Sequence, residues 1–342
     1  MDRDKKSRAK RRRFLALIAG IGANVLSPPA GAQQASRTYR VAFILTTTPV
    51  GEMAGPNPVH LFLRTFVHAL QDLGYIEGRN LILERRSAEG NFERLSEIVS
   101  ELVSLKADVI VCINTMVVQR AYAVTKTIPI VQLQGTDPAL IGLARSVSHP
   151  GGNVTGMTST PSSEVEAKRL ELLKEIAPGA TRIAFLGMKS DWEAPWGQSV
   201  RRGAQALGIT LVLTEHQPND YTRAFALIER SRTGAIFLAA NPPNWQYRRL
   251  IADFAKKNRL PSAYMTREYP EAGGLLSYGY DVRENCRGAA QYVDKILKGA
   301  KPGDLPIEHP SKYELIINSK TAAAIGLSIS QELLLRADQV IE

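Results

Sequence analysis

Cysteine is nearly absent from this sequence: Cys112 and Cys286 are the only two in 342 residues. Two are too few for a fold stapled by disulfides. Cys112 lies in the apolar run 109–113, which favours a buried free thiol over a bridge to Cys286. Long apolar runs are lacking too. The best candidate, residues 14–26, is about 13 residues long, against the roughly 20 needed to cross a bilayer as a helix. Catalytic signatures are missing as well. The five histidines, His60, His68, His149, His216 and His309, show no His-Glu-x-x-His spacing for a metal. No nucleophile elbow, P-loop or Gly-x-Gly-x-x-Gly turn follows a strand-like run. Low-complexity linkers and short-period repeats are absent. Together these gaps point away from a disulfide-rich module, a membrane-embedded protein, a metalloenzyme and a nucleotide-binding enzyme.

What is present begins with the first 32 residues. Eight Lys or Arg and two Asp precede residue 14, the short apolar run follows, and Ala30-Gly31-Ala32 supplies a small-x-small cleavage site before Gln33. That order reads as an export signal cut after Ala32, and the alternative is a membrane anchor left uncut, which the prolines and the Ala-Gly-Ala make the weaker reading. No Cys follows the apolar run, which argues against a lipid anchor. Arg11-Arg12-Arg13-Phe14-Leu15 suits twin-arginine export, and a Sec route stays equally open. The signal carries six of the ten net positive charges. A nucleic-acid reading based on overall basicity therefore loses its support. The remainder is long enough for two domains and is expected to be soluble.

Two strings of strand–helix units follow. Strand-like runs at 40–45, 80–84, 108–113 and 128–133 alternate with helical periodicity at 59–73, from 92 on (Asn91 placed to cap) and at 116–126. The turn cluster 149–153 ends the first string. Ser163 and Glu166 read as a capping box opening the next helix. Strands are expected again at 182–186, 209–213, 235–239 and 261–265. The helices between close at Gly208 and near Asn258, and Asp220 caps the one from Tyr221. This alternation predicts an α/β protein of two Rossmann-like lobes with parallel sheets and right-handed crossovers. The lobes join near 154–161 and 278–281.

In open parallel sheets, ligands lie beyond the carboxyl ends of the strands. That rule selects Thr46, Thr47, Thr48, Asn114, Thr115, Gly135, Thr136 and Asp137 from the first lobe. From the second it selects Lys189, Ser190, Asp191, Trp192, Asn241, Pro242 and Glu268. Hydroxyls, amides and helix N-termini suit a small polar or anionic ligand. Each residue taken alone has an ordinary alternative as a cap or turn former. Asp137 and Asp191 are expected to face the cleft from opposite lobes, where one would pair with a ligand ammonium. Trp192, Trp196, Trp245, Tyr278 and Tyr280 lie near strand ends or the second junction, where aromatic rings either stack on a ligand or simply pack.

Three separated motifs then carry a resemblance. The first runs from Asp137-Pro138 to Leu143 and on through His149-Pro150-Gly151-Gly152-Asn153-Val154-Thr155-Gly156. The second is Leu276-Ser277-Tyr278-Gly279-Tyr280-Asp281 with the segment 289–302. The third is the tail, 316–342. Over nearly all of the mature chain they resemble the ABC-transporter substrate-binding family that includes tryptophan-binding proteins. The resemblance implies the type I periplasmic binding protein architecture, with a chain that crosses three times between its lobes. Residues 33–155 plus about 282–308 would form lobe one, and 156–281 plus about 309–342 lobe two. The hinge would include Thr158, Ser159, Tyr278 and Gly279. It also implies a periplasmic, monomeric receptor of an ABC-type uptake system that hands a small polar, amino-acid-like ligand to an inner-membrane permease. Neither cofactor, catalysis nor nucleic acid enters that picture. A ligand-presenting sensor is an alternative that needs the same clamp, and a secreted α/β enzyme is a weaker one. A DNA-binding regulator of the same fold would need a helix-turn-helix where the export signal stands. The chain departs from the family pattern at 188–195 and by an added Thr136 in Gly135-Thr136-Asp137-Pro138. Both departures fall at cleft-facing strand ends, so the ligand does not carry over.

Overall fold

The computed structural model describes residues 37–159 and 163–342. The export-signal reading and the Ser163 half of the capping box lie outside the described residues and side chains. Five short apolar runs form the first sheet: β1 (Tyr39–Leu45), β2 (Leu81–Ser87), β3 (Val109–Cys112), β4 (Ile130–Gln132) and β5 (Val154–Gly156). Their order is β2-β1-β3-β4-β5 and every pairing is parallel. β1, β3 and β4 are buried almost throughout, as parallel strands covered on both faces must be. Cys112 and Cys286 are both free and buried. Burial alone pushes the Cys112 thiol well above its ordinary range.

Seven strands form the second sheet: β6 (Arg182–Gly187), β7 (Thr210–Glu215), β8 (Ala235–Leu238), β9 (Ser262–Tyr264), β10 (Leu276–Gly279), β11 (Glu314–Asn318) and β12 (Gln339–Ile341). The order is β12-β11-β10-β9-β8-β6-β7, parallel except where β11 meets β10. The exception follows from the path of the chain. β10 runs out of this sheet toward the first one, and the helix Val282–Leu297 packs there, against β3, β4 and the helix Leu61–Asp72. The chain then returns and enters β11 from the same end that β10 left, so the two must run oppositely. Four strands were not expected: β5 and β10 fall at the segments expected as lobe junctions, and β11 and β12 lie in a tail of mixed polarity.

Local signals hold in part. Asn114 accepts the Val117 N–H at 3.2 Å and opens the helix Thr115–Val124. Gly208 and Asn258 close their helices as expected. Asn91 makes no side-chain cap, because a 3-10 turn, Phe92–Arg94, precedes the helix Leu95–Ser104. Asp220 accepts from the Thr222 N–H at 2.8 Å, two positions before the first residue of the helix Thr222–Arg230, whose N-cap is Tyr221. The Glu166 carboxylate pairs with Arg169, one turn further along its helix.

The crossing segments are knitted together at the first lobe. Thr158 N–H donates to Glu308 O at 2.8 Å, and Glu308 N–H to Gly156 O at 2.9 Å. Asn285 donates to the carbonyls of Leu133 and Thr158, and Tyr280 Oη to Gln134 Oε1. At Gly279 a Cβ would stand 1.8 Å from the Met265 carbonyl oxygen, so no larger residue fits where β10 leaves the sheet. Among the described residues no helix is long and apolar enough to cross a membrane.

Candidate functional site

A cavity of about 520 Å³ lies at the carboxyl ends of strands from both sheets. On the first-lobe side it is lined by Thr46, Thr47 and Thr48 after β1, Asn114 and Thr115 after β3, and Gly135 and Thr136 after β4. Thr115 Oγ1 accepts the Thr136 N–H at 2.7 Å, which leaves its own hydroxyl proton to donate. Ser159 Oγ likewise accepts the Gly135 N–H at 2.8 Å. Gly135 has a φ of +127°, and a Cβ there would stand 2.4 Å from Thr115 Oγ1, so this wall depends on glycine. The helix Thr115–Val124 begins at the cavity, so its N-terminal N–H groups and dipole favour a negative group there.

The second-lobe wall carries the charge. Asp191 is nearly buried. Its Oδ2 accepts the Met188 N–H at 2.8 Å and an Asn241 Nδ2 hydrogen at 2.7 Å. Burial pushes the Asp191 carboxyl above its ordinary range, while those two donors pull the other way. Glu166, paired with the buried Arg169, is the other carboxylate on the wall among the described residues. Among the described residues no lysine or arginine lines the cavity. His60 lines it as well. Its Nδ1 accepts the Leu63 N–H, and burial, aided by Arg248 and Arg64, lowers its pKa to about 4. It is therefore neutral at pH 7.

The remaining wall is apolar and aromatic: Phe62, Trp196, Trp245 and Tyr269 with Met116, Met188 and Met265. Phe62 comes from the first lobe and Trp245 from the second. Their ring centroids are 4.3 Å apart, so the lobes touch directly beside the cavity.

Of the residues selected from strand ends, Thr46, Thr47, Thr48, Asn114, Thr115, Gly135, Thr136, Ser190, Asp191, Asn241 and Pro242 line the cavity. Five do not. Asp137 Oδ1 accepts the Ala139 N–H in a turn, and Oδ2 lies 3.6 Å from His309 Nε2, toward the crossing segment. Lys189 is exposed beside Glu193. Trp192 packs edge-on against Phe185, with Arg201 over its ring. Glu268 is only 3% exposed with neither carboxylate oxygen hydrogen-bonded, and burial pushes its pKa up against the weaker pull of Thr266 and Arg283. Tyr278 stacks on Tyr313 between β10 and the returning chain. Among the hinge residues, Ser159 reaches the cavity. Thr158 is buried against His309, with its Oγ1 3.0 Å from the ring Nδ1. His60, Phe62, Gln134, Tyr269 and Glu166 were not read as cavity residues. His60, Phe62 and Glu166 sit on loops or helices away from the strand ends that the rule searches, whereas Gln134 and Tyr269 adjoin the selected Gly135 and Glu268 and were passed over there. Trp196 and Trp245 were legible as aromatic residues, without a side to face.

The sequence profile of ABC transporter substrate binding proteins matches residues 59–341. A tyrosine-binding protein of Clostridioides difficile is 27% identical over 270 residues, which cover 77% of this chain and 75% of that protein. A conserved domain protein from Vibrio cholerae superposes with a TM-score of 0.79 at 26% identity, over 89% of this chain and all of the other. A Streptococcus pneumoniae ABC domain in complex with L-Trp superposes with a TM-score of 0.77 at 23% identity, again over 89% of this chain and all of the other.

Proposed function

Because this chain belongs to the family of ABC transporter substrate-binding proteins, we propose that it is the extracytoplasmic receptor of an uptake system, closing on an amino-acid-like zwitterion between two hinged lobes. One observation carries the ligand class. Among the described residues the cavity walls hold two carboxylates and neither lysine nor arginine, facing hydroxyls and a helix N-terminus, with aromatic rings between. An ammonium would sit on Asp191, whose Oδ1 has no protein partner among the described residues. A carboxylate would be met by the hydroxyls of Thr46, Thr47, Thr115 and Thr136 and the N-terminus of Thr115–Val124. An apolar side chain would pack on Phe62 and Trp245. The L-Trp complex and the tyrosine-binding relative support this reading.

The division into lobes, with 33–155 and about 282–308 moving against 156–281 and about 309–342, belongs to the same proposal. So does a hinge at Thr158, Ser159, Tyr278 and Gly279. Ligand that touches both lobes only when they are closed draws the population toward closure, and the closed surface is what a permease would recognise. The ligand leaves chemically unchanged.

Titration calorimetry with L-tryptophan, L-tyrosine and a dicarboxylate such as succinate tests the charge reading. One of the amino acids should bind and succinate should not. Asp191→Asn should cost about 2–5 kcal/mol, the range for removing one member of a buried charge pair, which is about 30- to several-thousand-fold in Kd. Preference for the dicarboxylate, or an unchanged Kd in the variant, would overturn it.

A further inference from the structure

Asn241 was read from the sequence as a ligand contact, yet its amide is already committed. Its Oδ1 accepts the Asn244 N–H at 2.8 Å, and its Nδ2 lies 2.7 Å from Asp191 Oδ2 and 3.4 Å from His216 Nε2. An amide has two donor hydrogens and one acceptor oxygen, so all three are used. Flipping it would set an NH2 group against the Asn244 N–H and an oxygen against the Asp191 carboxylate, so its orientation is forced. His216 is equally constrained. Its Nδ1 is 2.9 Å from the Gln217 carbonyl oxygen, which can only accept, so Nδ1 carries the proton. The neutral ring then presents Nε2 as a lone pair to Asn241.

The rest of the cluster locks this arrangement. His216 stacks on Tyr221 with centroids 4.5 Å apart and planes within 13°. Tyr221 Oη donates to Asn244 Oδ1 at 2.8 Å, and Asn244 Nδ2 donates to Ala239 O and Leu186 O at the ends of β8 and β6. His216, Asn241, Asn244 and Asp191 are all buried or nearly so. His216 itself does not line the cavity, but it touches Asn241, which does, and through it stands two contacts from the Asp191 carboxylate.

We infer that His216 and Asn241 are positioning residues that hold Asp191 with Oδ1 turned to the ligand, and that protonation of His216 releases the ligand. The inference rests on the proposed pairing of Asp191 with a ligand ammonium. A proton on Nε2 would face the Asn241 Nδ2 hydrogens, donor against donor, and Asn241 cannot turn to relieve the clash. The imidazolium would also compete with the ligand ammonium for Asp191. Both effects act in one direction. The groups around the ring are Tyr221, Glu215 at the end of β7, the Gln217 carbonyl, and Asp191 through Asn241. Burial lowers the His216 pKa, against the opposing pull of Gln217 and Glu215, so the neutral relay holds at pH 7 and release falls below the ordinary histidine range.

Two variants separate position from fold. His216→Gln can keep an acceptor oxygen for Asn241 and cannot titrate; His216→Phe keeps a ring on Tyr221 and loses the acceptor. In the ligand-free protein, carboxyl 13C NMR of Asp191 from pH 4.5 to 8 should show a second inflection at the pH where His216 titrates, lost in both variants. With L-tryptophan or L-tyrosine at pH 7.5, His216→Gln should bind within about twofold of the parent and His216→Phe about three- to tenfold more weakly, the worth of one hydrogen bond. Below pH 6 the parent should lose affinity while His216→Gln does not. An Asp191 signal indifferent to His216 overturns the relay whatever the ligand is. Identical pH profiles of Kd in the parent and His216→Gln overturn the release. A coupled NMR titration with no heat from either amino acid supports the relay and refutes the ligand class instead.

Discussion

Arg169→Met is the perturbation whose consequence the structure specifies most fully. Glu166 and Arg169 sit one turn apart on the helix Ser163–Ile176, at 4% and 1% exposure, and the guanidinium carbon lies 4.4 Å from the centre of the Phe237 ring. Burial drives both toward their neutral forms: the Glu166 pKa is raised and that of Arg169 lowered, each against the attraction of the other. The pair thus compensates its desolvation incompletely, as buried ion pairs commonly do. Taking away the arginine removes the one charge that favours an ionised Glu166. The carboxyl then holds its proton to still higher pH in the folded state, while the unfolded chain releases it near 4.3.

The sign follows directly. An acid whose folded pKa is raised binds more protons folded than unfolded, so stability falls as pH rises above the unfolded pKa, by about 1.36 kcal/mol per unit until the folded pKa is passed. At pH 7.5 Arg169→Met should therefore cost about 3–5 kcal/mol, the range for breaking a buried pair. At pH 5 most of the electrostatic share disappears and about 1–2 kcal/mol remains for the lost stacking on Phe237. Replacing Glu166 by Gln in the same chain should recover much of the loss at pH 7.5. Urea unfolding at pH 5, 6 and 7.5, followed by tryptophan fluorescence, measures each figure. A loss equal at all three pH values, or below about 1 kcal/mol at pH 7.5, would refute the reasoning.

Phe62→Ala removes the ring contact between the lobes, worth about 0.5–1.5 kcal/mol beyond the area it buries. That should move the unliganded closed-to-open ratio by about two- to twelvefold, seen as a larger radius of gyration in solution scattering; an unchanged radius with an unchanged ligand Kd would count against the contact as a latch. Mass spectrometry of the exported protein should find a chain beginning at Gln33, and a species that retains residues 14–26 in the membrane fraction would contradict cleavage after Ala32.

Several features of this protein were determined by sequence alone because their causes are local. Short apolar runs alternating with helical periods read as buried parallel strands, and the loops after parallel strands open on the same edge of their sheet. That is why Thr46 to Thr48, Asn114, Thr115, Thr136, Ser190 and Asp191 were found in advance and do line the cavity. Which way a side chain turns from that edge was decided by tertiary structure. Asp137 turned to its own turn and to His309, Trp192 to Phe185, and Tyr278 to Tyr313, because nearby groups offered a hydrogen-bond donor or a ring at closer range than the cleft. The pairing of Glu166 with Arg169, one turn away on the same helix, was likewise decided by the burial of both side chains. The aromatic wall was out of reach for another reason. Phe62 and Trp245 lie far apart in sequence and meet only because the two lobes approach, a contact that no local pattern encodes. Asn241 shows the same division within one residue. Its place at the end of β8 was legible, but its role in holding Asp191 came from His216 and Asn244 packing around it.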